Sequence, residues 1–407
     1  MIYLKRIILS IGLIFIGHLG WSQGIVFNTN LEESLQEAKK QNKLIFVDFY
    51  TSWCGPCKAL SANVFPDKAV GDFYNNNFIS VKIQCDDTGY GVALGKKYKI
   101  AAYPTLMFLD ANGDIVHSAA GAPDVQGLIE LGKIASDPKK NQLSLKKEWE
   151  SGNREEGFTY KYFESLIRAY QNDKASADFQ EYFATLSKEQ KANKSTFDLM
   201  QIVKEPPFSN TFDYLEQHKE DYYQTVGKGR VDSTIAKSYL WYLKNLQYSG
   251  IMNKDLTEFN TKLEQFKAKN YPYYEEYVAF YDVFDFKDSD NKSDAEIFMK
   301  KGTSFLQKYG LNNDDYTISL TMMLANLIWG KDRGVAGIEW METLVQRNPD
   351  VRYLDSYFHI LFRNLRWDQA LEVAKKIKED KLKNNLSTKD IDQKIQSVAD
   401  ARLKYGG

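Results

Sequence analysis

Two periodicities divide the chain. Up to about residue 136, short apolar runs of strand character alternate with segments in which apolar residues recur at helical spacing; beyond it only the helical spacing persists. "LEESLQEAKKQNK" (Leu31 to Lys43) places Leu31, Leu35 and Ala38 on one face and predicts an amphipathic helix. "LIFVDFY" (Leu44 to Tyr50) is nearly continuous in apolar β-formers, which predicts a strand buried on both faces and therefore a parallel or mixed sheet. Helix follows from Cys57 to Asn77 with an interruption at Pro66, then a second buried strand from Phe78 to Ile83 and a weaker helix from Tyr90 to Ile100. Two runs, Pro104 to Asp110 and Ile115 to Gly121, flank an Asn-Gly turn and predict a β-hairpin. A helix ending near Ser136 closes an α/β domain.

Residues 137–144 are polar, carry Pro138 and read as a linker. From 145 to 407 apolar and aromatic side chains recur every three or four positions, which predicts about a dozen helices joined by short loops as antiparallel hairpins, an all-α domain. Ala336 and Ala370 stand at equivalent places in two hairpins 34 residues apart, the period of a tetratricopeptide unit. An irregular helical domain with local pairing fits the same spacing. The aromatic run "YPYYEEYVAFYDVF" reads mostly as core, with exposed rings available to a protein partner.

At the front, Lys5 and Arg6 precede an apolar run from Ile7 to Leu19 and small residues at Gly20 and Ser22. That layout predicts a signal peptide over residues 1–22, cut before Gln23, with the α/β domain occupying 23–136. The run is shorter than the roughly 18–20 residues of a membrane span and contains His18. Export to the periplasm or an equivalent compartment is the expectation. The 53 basic and 54 acidic residues leave a formal charge of −1, which offers no field to nucleic acid or an anionic membrane.

An exported chain can form disulfides, yet this one has 3 cysteines in 407 residues. Two of them, Cys54 and Cys57, lie in "SWCGPCK". Zinc would need further ligands, and Cys85, His117, His218 and His359 show no second paired spacing, so no metal is expected. A structural crosslink closing so short a loop would stabilise little. Redox exchange remains. A cysteine between a buried strand and a helix has unpaired N–H groups and the positive end of the helix dipole beside its sulfur, which favours thiolate; that describes Cys54. Pro56 suits the first helical turn, and Cys57, one turn in and expected to be the more buried, is placed to resolve.

On these residues the segment from about Asn28 to Ser136 resembles the thioredoxins. "VDFYTSWCGPCK" is similar to their active-site stretch, "VKIQCDD" to their next strand and "AAYPT" to the loop that faces the disulfide. The resemblance implies a thioredoxin fold ahead of the all-α domain, no cofactor, and catalytic roles for Cys54, Cys57, Asp48 and Lys82. It further implies that Trp53, Tyr103, Pro104 and Gly121 line a substrate groove, with the bond before Pro104 cis. Residue logic agrees for the acid and the lysine: each sits in an apolar strand and is unfavourable there without a partner, unless both reach solvent at sheet edges. Two positions depart from the pattern. Tyr103 replaces a smaller aliphatic residue, and Cys85 is extra, read as a small apolar filler. The activity implied is a thiol:disulfide oxidoreductase, reductase or isomerase by its Gly-Pro dipeptide, serving disulfide-containing exported proteins and recharged by a membrane or envelope electron donor. The alternative is an envelope binding or scaffold protein whose helical part, in contact with protein, is the main functional element.

Overall fold

The computed structural model describes residues 24–87, 89–285 and 293–406; the predicted signal peptide lies outside the described residues. A five-stranded mixed sheet runs in the order β1-β3-β2-β4-β5, with β1 Phe27–Asn28, β2 Leu44–Tyr50, β3 Phe78–Gln84, β4 Thr105–Leu109 and β5 Ile115–Ala120. β3 pairs in parallel with β1 and β2, whereas β4 is antiparallel to both β2 and β5. The helices of this part are α1 Leu31–Gln41, α2 Gly55–Asn63, α3 Lys68–Asn77, α4 Tyr90–Lys97 and α5 Val125–Ser136.

The central position of β2 explains its unbroken apolar run. Ile45, Val47 and Phe49 join Leu31, Ala38 and Leu94 in a core on one face, while Phe46 joins Leu60, Tyr74 and Leu128 on the other. Asp48 shares the Phe46 face, opposite α2, at a position the alternation reserves for an apolar side chain.

Two of these helices end at or just before a left-handed residue. α1 stops at Gln41 because Asn42 adopts φ 52°, two residues short of the predicted end, and α4 stops at Lys97, with Lys99 at φ 52° shortly after. The expected interruption near Pro66 separates α2 from α3, which is recapped by Asp67 accepting the N–H groups of Ala69 and Val70. β1 was not foreseen, since two residues carry no period.

The chain divides into two compact units, Met1–Ser233 and Thr234–Gly407. In the first, α6 (Gln142–Glu150) and α7 (Glu156–Arg168) pack on β5, the edge of the sheet. Within the stretch read as a linker, Asn141 and Gln142 are buried. The Gln142 N–H donates to His117 Nδ1 (3.3 Å), its side-chain amide donates to the Ser165 carbonyl (3.1 Å), and its amide oxygen accepts from the Ser118 hydroxyl (3.2 Å). An edge that would otherwise be open to pairing is thereby covered.

Burial pushes the His117 imidazole down to about 4, helped by the positive Arg168. The unfolded chain therefore binds a proton that the folded chain refuses between about pH 6.5 and 4, so this group's contribution is present above that window and lost as pH falls through it. The loss is on the order of 3 kcal/mol. Urea midpoints of the native chain are expected to fall from pH 7 to pH 4.5 more than those of His117→Gln; parallel curves would place the pH dependence elsewhere.

The second unit is wholly helical among its described residues, running from the greater part of the helix Lys228–Asn253 to Lys389–Tyr405. Over the whole region from Gln142 onward there are more α-helices than the dozen expected, because several are short. Helices Val335–Arg347, Leu354–Arg363 and Trp367–Lys383 follow one another in contact, with Ala370 fully buried and Ala336 half-buried. In the run around Tyr273, the rings of Tyr277, Phe280, Tyr281 and Phe284 are core and Tyr273 is exposed, as helical spacing predicts. No described helix is long and apolar enough to cross a membrane.

Candidate active site

β2 delivers the chain into the turn Thr51–Trp53, and α2 starts at once with Cys54 as its N-cap. Cys54 keeps an extended backbone (φ −71°, ψ 108°) and its sulfur accepts the Cys57 N–H at 3.1 Å, one of the donors a helix N-terminus leaves unpaired. Pro56 occupies the first turn, where its missing N–H costs nothing. Cys54 and Cys57 are joined in a disulfide, with Cα atoms 5.3 Å apart. Both are 3 % exposed, so exposure does not separate attacker from resolver as expected. They differ in their places on the helix: Cys54 Sγ is at the donor end and Cys57 is inside the first turn. A side chain at Gly55 would meet nothing within 4 Å, so that flank is open.

Asp48 and Lys82 are opposite one another in the β2–β3 register. The Lys82 ammonium stands 3.7 Å from the Asp48 carboxylate, too long for a hydrogen bond but well within Coulomb range. Asp48 is 1 % exposed and neither of its oxygens accepts a hydrogen bond. Burial therefore pushes the carboxyl up to about 7, against the pull of Lys82. Lys82 is held in place by donating to Ser61 Oγ on α2 (2.6 Å) and by the Tyr50 and Phe65 rings, at 4.9 and 5.3 Å from their centroids. The sheet-edge alternative for these two residues is excluded, since both strands are interior.

The Tyr103–Pro104 bond is cis, as the resemblance implies. Gly121, at φ +108° where a side chain would be strained, donates its N–H to the Pro104 carbonyl (2.9 Å). Trp53 is 69 % exposed and meets Tyr103 edge to face, centroids 6.1 Å apart. Beside Gly121 a groove of about 430 Å³ opens over Leu106, Ala119 and Leu131, with Arg168 of α7 on its wall.

Two participants escaped the sequence reading. Ser61 lies one helical turn after Cys57, a spacing that signals a shared face. Asp86, which accepts the Ser52 N–H through both oxygens (3.0 and 2.9 Å), had no signal, because the contact joins two loops.

A family model described as a thioredoxin-like domain matches residues 31–133. Thioredoxin-1 of Drosophila melanogaster is 36 % identical over 83 residues, 20 % of this chain and 71 % of that protein. The chain belongs to the thioredoxin family. The thiol:disulfide interchange protein DsbD of Pseudoalteromonas atlantica is 28 % identical over 110 residues, which are 27 % of this chain and 18 % of that protein. A solution structure from Bacteroides thetaiotaomicron, a candidate disulphide-isomerase, is 41 % identical and is matched over 28 % of this chain and 95 % of its own, with a TM-score of 0.26. Membership makes the Cys54–Cys57 pair that of a thiol:disulfide oxidoreductase. The family-model match ends at residue 133, ahead of the helices from Gln142 onward.

Proposed function

We propose that the chain is an exported reductase or isomerase of protein disulfides. In the dithiol form the Cys54 thiolate attacks one sulfur of a substrate disulfide; a Cys54–substrate bond forms, the substrate S–S bond breaks and one substrate thiolate leaves. Cys57 then gives its proton to the Asp48 carboxylate and attacks Cys54 Sγ. That step forms the Cys54–Cys57 disulfide and releases the second substrate thiolate, so two electrons have passed to the substrate. Lys82 keeps Asp48 from becoming too weak an acid. Trp53, Tyr103, Pro104 and Gly121 are the face on which the substrate docks, and an envelope donor returns the electrons.

The observation that carries this reading is a carboxyl buried in β2, beside a lysine that is bonded to Ser61 of α2, the helix whose N-terminus carries the cysteine pair. Neither a structural disulfide nor a docking module has use for it. The Gly-Pro dipeptide supports the reducing direction. Equilibration of the full chain with glutathione is expected to give a potential nearer about −270 mV than about −120 mV. A value at the upper end would make the protein a disulfide donor instead.

Among its described residues the helical region, 145–407, holds no catalytic set of its own, and we assign it the choice of protein partner. The Arg168 wall beside the Gly121 groove supports this for its first helices. Partners captured on the resolving-cysteine variant, compared with and without the region from Thr234 onward, read that assignment for the remaining helices.

A further inference from the structure

Lys82 is the partner that makes a buried Asp48 tolerable, yet its ammonium does not complete the contact. It donates to Ser61 Oγ at 2.6 Å and stops 3.7 Å from the Asp48 carboxylate, whose two oxygens are buried and accept no hydrogen bond. An ammonium has three donors and a carboxylate is a stronger acceptor than a hydroxyl, so the gap needs a cause. Ser61 supplies it. Both charges are rooted in the sheet, whereas Ser61 belongs to α2, so its hydrogen bond ties the ammonium to a different layer. The Tyr50, Phe65 and Phe27 rings, with centroids 4.9, 5.3 and 5.6 Å from Nζ, surround the ammonium without offering it another strong acceptor.

Among the described residues, no other charge faces Asp48 in the neutral pH range. β4, the second neighbour of β2, carries no titratable side chain between Thr105 and Leu109. The charged side chains of α2, α3 and α5, the helices over this face of the sheet, are exposed. Cys57 of α2 is a disulfide sulfur here, and Tyr74 of α3 donates to the Leu128 carbonyl and is kept neutral by burial. Tyr50 and Cys85 feel the Asp48 charge, but burial raises both, the thiol to about 11, and both are neutral too. The distance from Lys82 to Asp48 is therefore what tunes the hold on this carboxylate.

We propose that Ser61 is a positioning residue for the resolving step: its hydroxyl keeps the Lys82 ammonium short of hydrogen-bond distance from Asp48, so that the carboxylate stays free to take the Cys57 proton. The proposal rests on the reading of Asp48 as that base. Its physical reason is that a carboxylate accepting a charge-assisted hydrogen bond is a weaker base than one merely near a cation. Closing the pair from 3.7 Å to ~2.8 Å would lower the Asp48 titration by about one pH unit.

The test follows two readouts in the full chain: the titration of the Asp48 carboxyl by carbon NMR in the oxidised protein, assigned with Asp48→Asn, and the single-turnover resolution rate against pH. Alanine is the best helix former, so Ser61→Ala is expected to fold. In that variant the ammonium loses its anchor and Asp48 is the acceptor left to it. The titration midpoint is expected to fall by about one pH unit and the inflection of the resolution rate to move down with it, with the rate above the inflection about three-fold lower. Ser61→Thr, which keeps the hydroxyl, restores both. In a Lys82→Met background Ser61→Ala is expected to move neither, because no ammonium is left to release. A midpoint unmoved in Ser61→Ala, one that rises because the lysine swings into solvent, or a shift that persists without Lys82 would each overturn the positioning role and leave Asp48 as the base. A midpoint that falls while the resolution profile stays in place would remove Asp48 from the proton transfer and this proposal with it.

Discussion

Cys57→Ser is expected to accumulate intermolecular mixed disulfides that dissolve in reductant, whereas Cys54→Ser accumulates none. Either change lowers turnover by roughly three orders of magnitude or more, since each removes a nucleophile that the other cannot replace. The asymmetry of trapping is the informative part. Cys54 Sγ sits at the helix N-cap, where the Cys57 N–H already points at it and the helix dipole favours negative charge. Cys57, one turn further in, receives no such stabilisation and depends on a base. With both residues equally buried, the helix terminus alone predicts which sulfur attacks. Non-reducing gels of each variant in its native envelope make the comparison. Equal trapping by both would mean that either sulfur attacks and that the N-cap confers no preference.

The sheet was readable because its strands are interior: runs such as Leu44 to Tyr50 have one physical explanation, and a charged residue inside such a run demands a partner. That demand agrees with the pairing of Asp48 and Lys82 that the family resemblance implies, and the strand register puts the two opposite each other. What the chain order hides is contact between loops and between faces. The bond between Asp86 and the Ser52 N–H leaves no periodic trace. The stretch 137–144 misled for a similar reason. Its polarity suggested solvent, yet Gln142 is polar because it meets His117, Ser118 and Ser165, a polar cluster buried under the first added helices. In the helical region, spacing sorted core rings from exposed ones but said nothing of which helix faces which.

Asp48→Asn is expected to slow resolution of the mixed disulfide about a hundred-fold at neutral pH, the lower end of what a positioned base supplies, while slowing the initial attack much less. The reason is the acid's displaced titration. A carboxyl at its ordinary 3.8 would be too weak a base at pH 7; burial has raised Asp48 to about 7, matched to the task, and Lys82 stops the rise from going further. The native single-turnover resolution rate therefore climbs through about pH 7, and in the variant the inflection moves up towards the ordinary thiol value of about 8.5. Stability moves the other way. The folded state holds the Asp48 proton that the unfolded chain gives up from about pH 3.8 onward, so native stability declines as pH rises from there to about 7, opposite in sign to the His117 effect. Asparagine has no charge to bury, and the variant is expected to be more stable than the native chain at pH 7.5, by on the order of 2 kcal/mol once the lost attraction for Lys82 is set against the desolvation relieved. Rapid-quench kinetics across pH 6 to 9 and urea unfolding at pH 5 and 7.5 check the two halves together. Unchanged resolution across that range would remove Asp48 from the chemistry, and a variant less stable at pH 7.5 would mean that the carboxylate is stabilised in place rather than strained for its function.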